Sequence, residues 1–367
     1  MNDLRYWLGL NQVRGIGPVR FRALLNFFGD LKTAWEAPRA ALEEARLDSR
    51  ALHNLLQVRQ QVDLDQLLQR VQAAGVQVLT WESPDYPPLL LQIADAPPVL
   101  FVKGTLNGDE WAVAVVGTRK ATPYGREVVH RLVEDLAHNG VTVVSGLARG
   151  IDGIAHRTAL EAGGRTVAVL GCGVDVIYPP EHRQLAAQIV AQGALVSDYP
   201  LGTSPEAANF PARNRIISGL SLGVVVIEAG VTSGALITAD FAAEQGRDVF
   251  AVPGSILSPA STGCNQLLRD GAAVVTEARD ILETLHLNHL PEQKVMRELL
   301  PADETEAAIL KHLSAEPCHV DELSRAAALP VATISSVLAL MELKGMVRQV
   351  GTLQYVLAHE PGETYTW

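Results

Sequence analysis

Cysteine, aromatic residues, positive charge and long apolar runs are all scarce in this 367-residue chain. Its three cysteines, Cys172, Cys264 and Cys318, lie far apart and nowhere show C-x-x-C spacing. That excludes a disulfide framework and a thiolate zinc site, and leaves idle thiols in a reducing cytoplasm. No apolar run approaches the roughly 18 residues that span a bilayer. The opening MNDLRYWLGLNQVRG has no basic stretch leading into an apolar one, so no membrane or secretory signal is expected. Lys and Arg number 30 against 41 Asp and Glu, a net charge of -11. Such a surface does not coat itself with nucleic acid, although a single local groove remains open to it.

Missing motifs narrow the chemistry further. Gly-Lys-Ser and Gly-Lys-Thr do not occur, which removes a P-loop and nucleoside triphosphate hydrolysis. The nearest approach to G-x-G-x-x-G is GCGVDV at 171–176, with Val176 in place of the third glycine and Pro179-Pro180 blocking the helix start. A dinucleotide cofactor is therefore not expected. Ser145 lacks the glycine two residues earlier that a nucleophile elbow needs. His156 and Asp152 lie four apart without a third ligand, and His130, His138 and His182 read as scattered surface residues. Asp152 reads instead as the cap of the helix after Gly150-Ile151. Neither metal nor cofactor is expected.

What is present is a core-rich chain, 48% hydrophobic and long enough for two or three domains. Residues 1–75 carry helical periodicity in LRYWLGL, PVRFRALLNFFG, LKTAWEA and one long QVRQQVDLDQLLQRVQAAG. Within them VRGIGPVRF at 13–21 has the form of a helix–hairpin–helix turn. Gly15 and Gly17 permit the tight connection, and Pro18 suits a first helical turn. The turn is either a plain helical hairpin or a phosphate contact flanked by Arg14, Arg20 and Arg22. Residues 76–110 form a proline-rich, ordered connector with a strand or two.

From 111 to 285 short buried-type strands alternate with helices that end in glycine: WAVAVVG, VTVVSG, TVAVLG, ALVSD, GVVVIEAG and DVFAVPG are the strands. The expectation is an α/β domain with a Rossmann-like, doubly wound, mostly parallel sheet. Its ligand site would lie beyond the carboxyl ends of the strands. Residues 286–303 read as a polar linker. From 300 to 367 three helices and a hairpin follow in winged-helix order, with the second and third helices at Val320–Ala328 and Val331–Lys344. That module holds 4 Lys and Arg against 9 Asp and Glu. Coulomb repulsion from DNA then points to protein docking, through apolar positions such as Val331, Ile334 and Leu338 where these are not core.

Two arginine-bearing stretches stand out against the acidic background: VVSGLARGID at 143–152 and NFPARNRIISG at 209–219. Both read as glycine- and asparagine-studded loops that hold a phosphate, since the guanidinium fork suits phosphate oxygens. A third strand-end loop carries Gly117, Thr118, Arg119 and Lys120. The domain from 111 to 285 has 13 Lys and Arg against 17 Asp and Glu, and Lys120 is the one lysine among those cations. Phe210, just before Pro211-Ala212-Arg213, offers a flat face for a base beside charge for its backbone, as single-stranded nucleic acid requires. The alternative is a core Phe210 and an Arg213 paired with a carboxylate such as Glu228.

Together these segments resemble the DNA-processing protein A family, also called Smf. The resemblance rests on VGTR at 116–119, SGLARGID at 145–152, GVDVIYPPEH at 173–182 and YPLGTSPEAANFPARNRIISGLS at 199–221. It continues in EAGVTSGALITA at 228–239 and VPGSI at 252–256, and YPPLLLQIADAPPVL at 86–100 looks like the family's entry segment. It implies a Rossmann-like domain between a SAM-like helical module and a winged helix. It also implies a cytoplasmic homodimer, not an enzyme, that binds single-stranded DNA. Such a protein displaces single-strand-binding protein and loads the RecA recombinase in natural transformation and repair. Carried over by position, the DNA site comprises Gly117, Thr118, Arg119, Lys120, Ser145, Gly146, Arg149, Gly150, Phe210, Arg213, Asn214 and Arg215. Ala207 departs from the family, which commonly has lysine three residues before the Phe. The competing resemblance is to lysine-decarboxylase-like phosphoribohydrolases acting on nucleoside monophosphates. Their P-G-G-x-G-T-x-x-E loop corresponds here to EAGVTSGALITAD, which has no glutamate at the right spacing.

Overall fold

The computed structural model describes residues 4–287, 304–313, 318–327, 329–343, 347–351 and 353–357. Most of the expected linker at 286–303, as well as Ala328 and Lys344, lies outside the described residues. The chain divides into two compact units, residues 1–288 and 289–367.

The first unit opens with six helices: α1 Leu4–Asn11, α2 Pro18–Phe28, α3 Leu31–Glu36, α4 Arg39–Glu44, α5 Ser49–Gln61 and α6 Leu64–Ala73. Three are started by aspartates: Asp30, Asp48 and Asp63 each accept a backbone N–H from the first turn of α3, α5 and α6. The long helix expected up to residue 75 is broken at Val62-Asp63, because the Asp63 carboxylate takes the amides of Asp65 and Gln66. Between α1 and α2, Gly15 adopts φ +97° and Gly17 precedes Pro18 at the helix start. Trp7, Phe21 and Trp81 pack ring against ring at 5.9–6.3 Å and join this helical layer to the chain that follows.

That chain builds a nine-stranded sheet from β1 Gln77–Thr80, β2 Val99–Gly104, β3 Ala112–Val116, β4 Thr142–Ser145, β5 Thr166–Val169, β6 Ala194–Ser197, β7 Gly223–Val226, β8 Asp248–Ala251 and β9 Ala273–Val274. The order is β1-β2-β6-β5-β4-β3-β7-β8-β9. Strands β3 to β9 pair in parallel, and β1 and β2 add an antiparallel edge. Alternate residues of β5 serve opposite cores. Val167 and Val169 pack with Ile216 and Ile217, whereas Ala168 packs with Leu185 and Ile189. Helices α8 Pro123–His138, α9 Ile151–Glu161 and α10 Arg183–Gln192 associate with one another. Helices α11 Asn209–Gly219 and α12 Gly234–Glu244 pack together as a separate pair. A short α7 Pro88–Leu91, α13 Thr262–Arg269 and α14 Ala278–Thr284 complete the unit. After β3 the chain winds to β6 in one direction and then returns to β7 on the other side of β3. The crevice between the ends of β3 and β7 is therefore the topological switch point.

The second unit has α15 Glu304–Leu310, α16 Val320–Ala327 and α17 Val331–Leu343, with strands β10 Cys318–His319, β11 Val347–Gly351 and β12 Gln354–Leu357 in the order β10-β12-β11. Its core is Ile309, Leu323, Ile334, Leu338, Met341, Val347 and Tyr355. Ile334 and Leu338, considered as docking positions, are thus buried, while Val331 is exposed. Among the described residues no helix is long and apolar enough to cross a membrane.

Candidate functional site

A cleft of about 570 Å³ opens at the switch point. The turn after β3 forms one lip and is clipped at Thr118 through its backbone. Thr118 N–H donates to the Glu228 carbonyl at 2.7 Å, and the Thr118 carbonyl accepts from Ile151 N–H at 3.1 Å. Two glycines make this clip possible. A Cβ on Gly117 would lie 2.6 Å from Ile151 Cγ1, and one on Gly150, at φ +76°, would collide with the Thr118 carbonyl. Beyond the clip Arg119 and Lys120 are exposed, and neither makes an ion pair among the described residues.

The turn after β4 faces inward. Ser145 is fully buried and its hydroxyl donates to the Val115 carbonyl at 2.7 Å. Asp152 does not cap α9, whose cap position is Gly150 with no side-chain bond. Its carboxylate accepts instead from Gly146 and Ala148 N–H at 3.1 and 3.3 Å, one turn back, which folds the loop over the helix start. Gly146 has no room for a side chain, because Arg213 and Asp152 occupy the space. Arg149 is exposed but bonded to Glu181, and that guanidinium holds the Glu181 carboxyl below its usual range. His182 is buried rather than on the surface, with Nδ1 2.9 Å from the Leu147 carbonyl.

The stretch NFPARNRIISG is a helix, α11, and not a loop. Pro211 falls in its first turn, where a missing N–H costs nothing. Helical geometry then separates the two arginines, since residues two apart differ by about 200° around the axis. Phe210, Arg213, Asn214 and Ile217, at the i, i+3, i+4, i+7 spacing of one face, line the cleft. Arg213 is 4% exposed and donates to the carbonyls of Gly146 (2.9 Å) and Val169. It faces Asp152 and not Glu228, whose two oxygens accept from the Thr122 hydroxyl and N–H at 2.6 and 3.0 Å. Arg215 points away from the cleft, to Asp198 and Asp95. Phe210 is half-buried. Its ring lies 5.5 Å from that of Tyr178, with the Arg119 guanidinium 5.9 Å away. A Cβ on Gly171 would stand 3.0 Å from this ring.

A third wall escaped the sequence reading: Gly230 and Thr232–Ala235 after β7, with Ile237 and Thr238 of α12. Ser233 caps α12 by accepting Ala235 N–H at 3.3 Å, and Asn214 Nδ2 donates to the Gly234 carbonyl at 3.2 Å. The signal was legible as a serine cap and glycine opening the helix that follows a buried strand. Of the twelve residues expected at the site, Gly117, Thr118, Arg119, Lys120, Phe210, Arg213 and Asn214 line the cleft, with Ser145, Gly146 and Gly150 supporting it; Arg149 and Arg215 do not line it. Asp152 is the sole carboxylate among the lining residues, against Arg119, Lys120 and Arg213. Ala207 lines the rim where a lysine would add charge. No group of three or more His, Cys, Asp or Glu that could hold a metal occurs among the described residues.

The chain matches the family described as DNA recombination-mediator protein A over residues 77–286, and the DprA winged helix domain over 294–351. It is 38% identical to Protein Smf of Synechocystis over 392 residues, covering 96% of this chain and 98% of that protein. It is 45% identical to Protein Smf of Escherichia coli, covering 73% and 74%. Its fold is similar to the X-ray structure of DNA processing protein A from Streptococcus pneumoniae, with TM-score 0.68, 36% identity, 77% of this chain and 97% of that one covered. A second similar structure, from Helicobacter pylori, is DNA processing protein A described for its single-stranded DNA binding mode. There the TM-score is 0.52 and the identity 31%, covering 58% and 97%.

Proposed function

Because this chain belongs to the DNA recombination-mediator protein A family, which includes the Smf and DprA proteins, we propose that its switch-point cleft holds single-stranded DNA. The observation that carries the reading is one juxtaposition: two exposed cations with no ion-pair partner among the described residues, Arg119 and Lys120, beside the half-buried Phe210 ring over an open cleft. Phosphates would meet Arg119 and Lys120, and a base would rest on Phe210. Gly117, Thr118, Ser145, Gly146 and Gly150 bring backbone close, while Arg213 and Asn214 frame the wall. Arg149 would join by exchanging Glu181 for a phosphate at the rim.

In this reading the protein is a cytoplasmic recombination mediator. As a homodimer it displaces single-strand-binding protein and hands the strand to RecA, in natural transformation and in repair. The division into helical module (1–75), connector (76–110), DNA-binding domain (111–285) and winged helix (300–367) belongs to the same proposal, with the acidic winged helix serving protein docking. The phosphoribohydrolase alternative lacks its acid: Glu228 is spent on Thr122, and Asp152 on two amides. The test is a titration of single- against double-stranded DNA over a salt series. A single-strand preference with affinity falling as salt rises is expected. Equal affinity for the two, or release of adenine from AMP, would contradict the reading.

A further inference from the structure

Arg215 lies outside the cleft, yet its partners all bear on the helix that forms the cleft wall. Its side chain is 12% exposed, with Nη2 2.6 Å from Asp198 Oδ2 and Nε 3.3 Å from Asp95 Oδ2. Its backbone carbonyl accepts from Gln245 Nε2 at 3.0 Å, at the end of α12. Asp198 follows β6, and its carbonyl accepts from Asn11 Nδ2 of α1 at 3.3 Å. One bonded series therefore runs from the helical module through Asp198 to Arg215. Arg213 clamps the opposite face of the same helix, through the Gly146 and Val169 carbonyls. Two guanidinium clamps on opposite faces, one buried and one 12% exposed, fix the rotation of α11. That rotation sets the pose of Phe210, five residues before Arg215, because residues of one short helix keep fixed angular positions about its axis.

We propose that Arg215 is a positioning residue for single-strand binding: it holds α11 in the rotation that presents the Phe210 ring to a base. Through Asp198 and Asn11, the helical module becomes part of the support of the cleft. The inference rests on the single-strand reading of that cleft.

The experiment uses the full chain and a single-stranded oligonucleotide carrying 2-aminopurine, whose fluorescence reports stacking at saturation independently of affinity. Arg215→Lys keeps the charge but loses the fork that bridges two carboxylates. On protein shown to be folded by circular dichroism, its affinity should fall by between about twofold and thirtyfold, the span for residues coupled to a site they do not touch. The salt slope should stay unchanged and the stacking signal at saturation should diminish. Asp198→Asn should reproduce this and combine with Arg215→Lys less than additively. Asp95→Asn, on the half-exposed carboxylate, should do so more weakly and serves if the others melt. A slope shallower by about 0.7 would make Arg215 a phosphate contact and overturn the inference. Unchanged stacking in a folded variant would also overturn it. Lack of single-strand binding by the unaltered chain would remove the reading of the cleft and this inference together.

Discussion

The rim of the cleft and its inner wall carry the same residue type and use it in opposite ways. On the rim, Arg119 and Lys120 have no ion-pair partner among the described residues and face solvent. In the wall helix, Arg213 is buried on two carbonyls beside Asp152, and Arg215, half-buried on the face away from the cleft, pairs with two aspartates. A guanidinium already desolvated and paired has little left to offer a phosphate, whereas an unpaired exposed one gains by releasing counterions. The wall should therefore govern stability and the rim should govern binding.

The sharpest break between the two is expected at Arg213. Arg213→Ala takes the donor from the buried Gly146 and Val169 carbonyls and the nearby positive charge from buried Asp152, and should lower folding stability, read by denaturant unfolding, by about 1–3 kcal/mol for each group left unpaired. A variant of unaltered stability that simply binds DNA less well would move Arg213 to the rim. Phe210→Ala should show the converse, a loss of roughly 1–3 kcal/mol in single-strand affinity with the melting temperature nearly unchanged. A drop in melting temperature proportionate to the binding loss would return Phe210 to the core.

The α/β core also has a pH signature. His156 is fully buried, with Nδ1 2.6 Å from Thr166 Oγ1, and Thr166 in turn donates to the Val143 carbonyl. Burial, then the neighbouring His182 and Arg213, depress its pKa from 6.5 to about 3. Below about 6.5 the unfolded chain binds a proton that the folded one refuses, so stability falls as pH drops from there toward 3. Between pH 7 and 5 the loss should be about 2 kcal/mol, at roughly 1.4 kcal/mol per unit. His156→Gln should flatten this part of the pH dependence of the melting temperature, and an equally steep profile would count against the assignment. The smallest expected effect is a gain: Ala207→Lys adds a cation at the rim and should steepen the salt slope by about 0.7 without altering stability. No change in slope would place residue 207 off the path of the strand.

Much of this division was hidden in the sequence, for identifiable reasons. The six core strands were legible because fully buried parallel strands are continuous apolar runs. The α11 segment was misread because asparagine, proline and glycine resemble loop punctuation, although Phe210, Arg213, Asn214 and Ile217 have helical spacing. The destinations of Arg213 and Arg215 could not be read, since their partners stand at 146, 169, 95 and 198 and only the sheet order brings them near. Asp63 is a lesson of the local kind: an aspartate between two apolar-periodic stretches starts a new helix instead of continuing the old one.

The central claim, that the exposed cations of the rim hold phosphates, is tested most directly by the salt dependence of single-strand affinity for the unaltered chain and for Arg119→Ala combined with Lys120→Ala. The logarithm of affinity against the logarithm of salt should be shallower by about 1.4 in the double variant, two contacts at about 0.7 each, with the melting temperature unchanged. An identical slope in the two proteins would contradict the account.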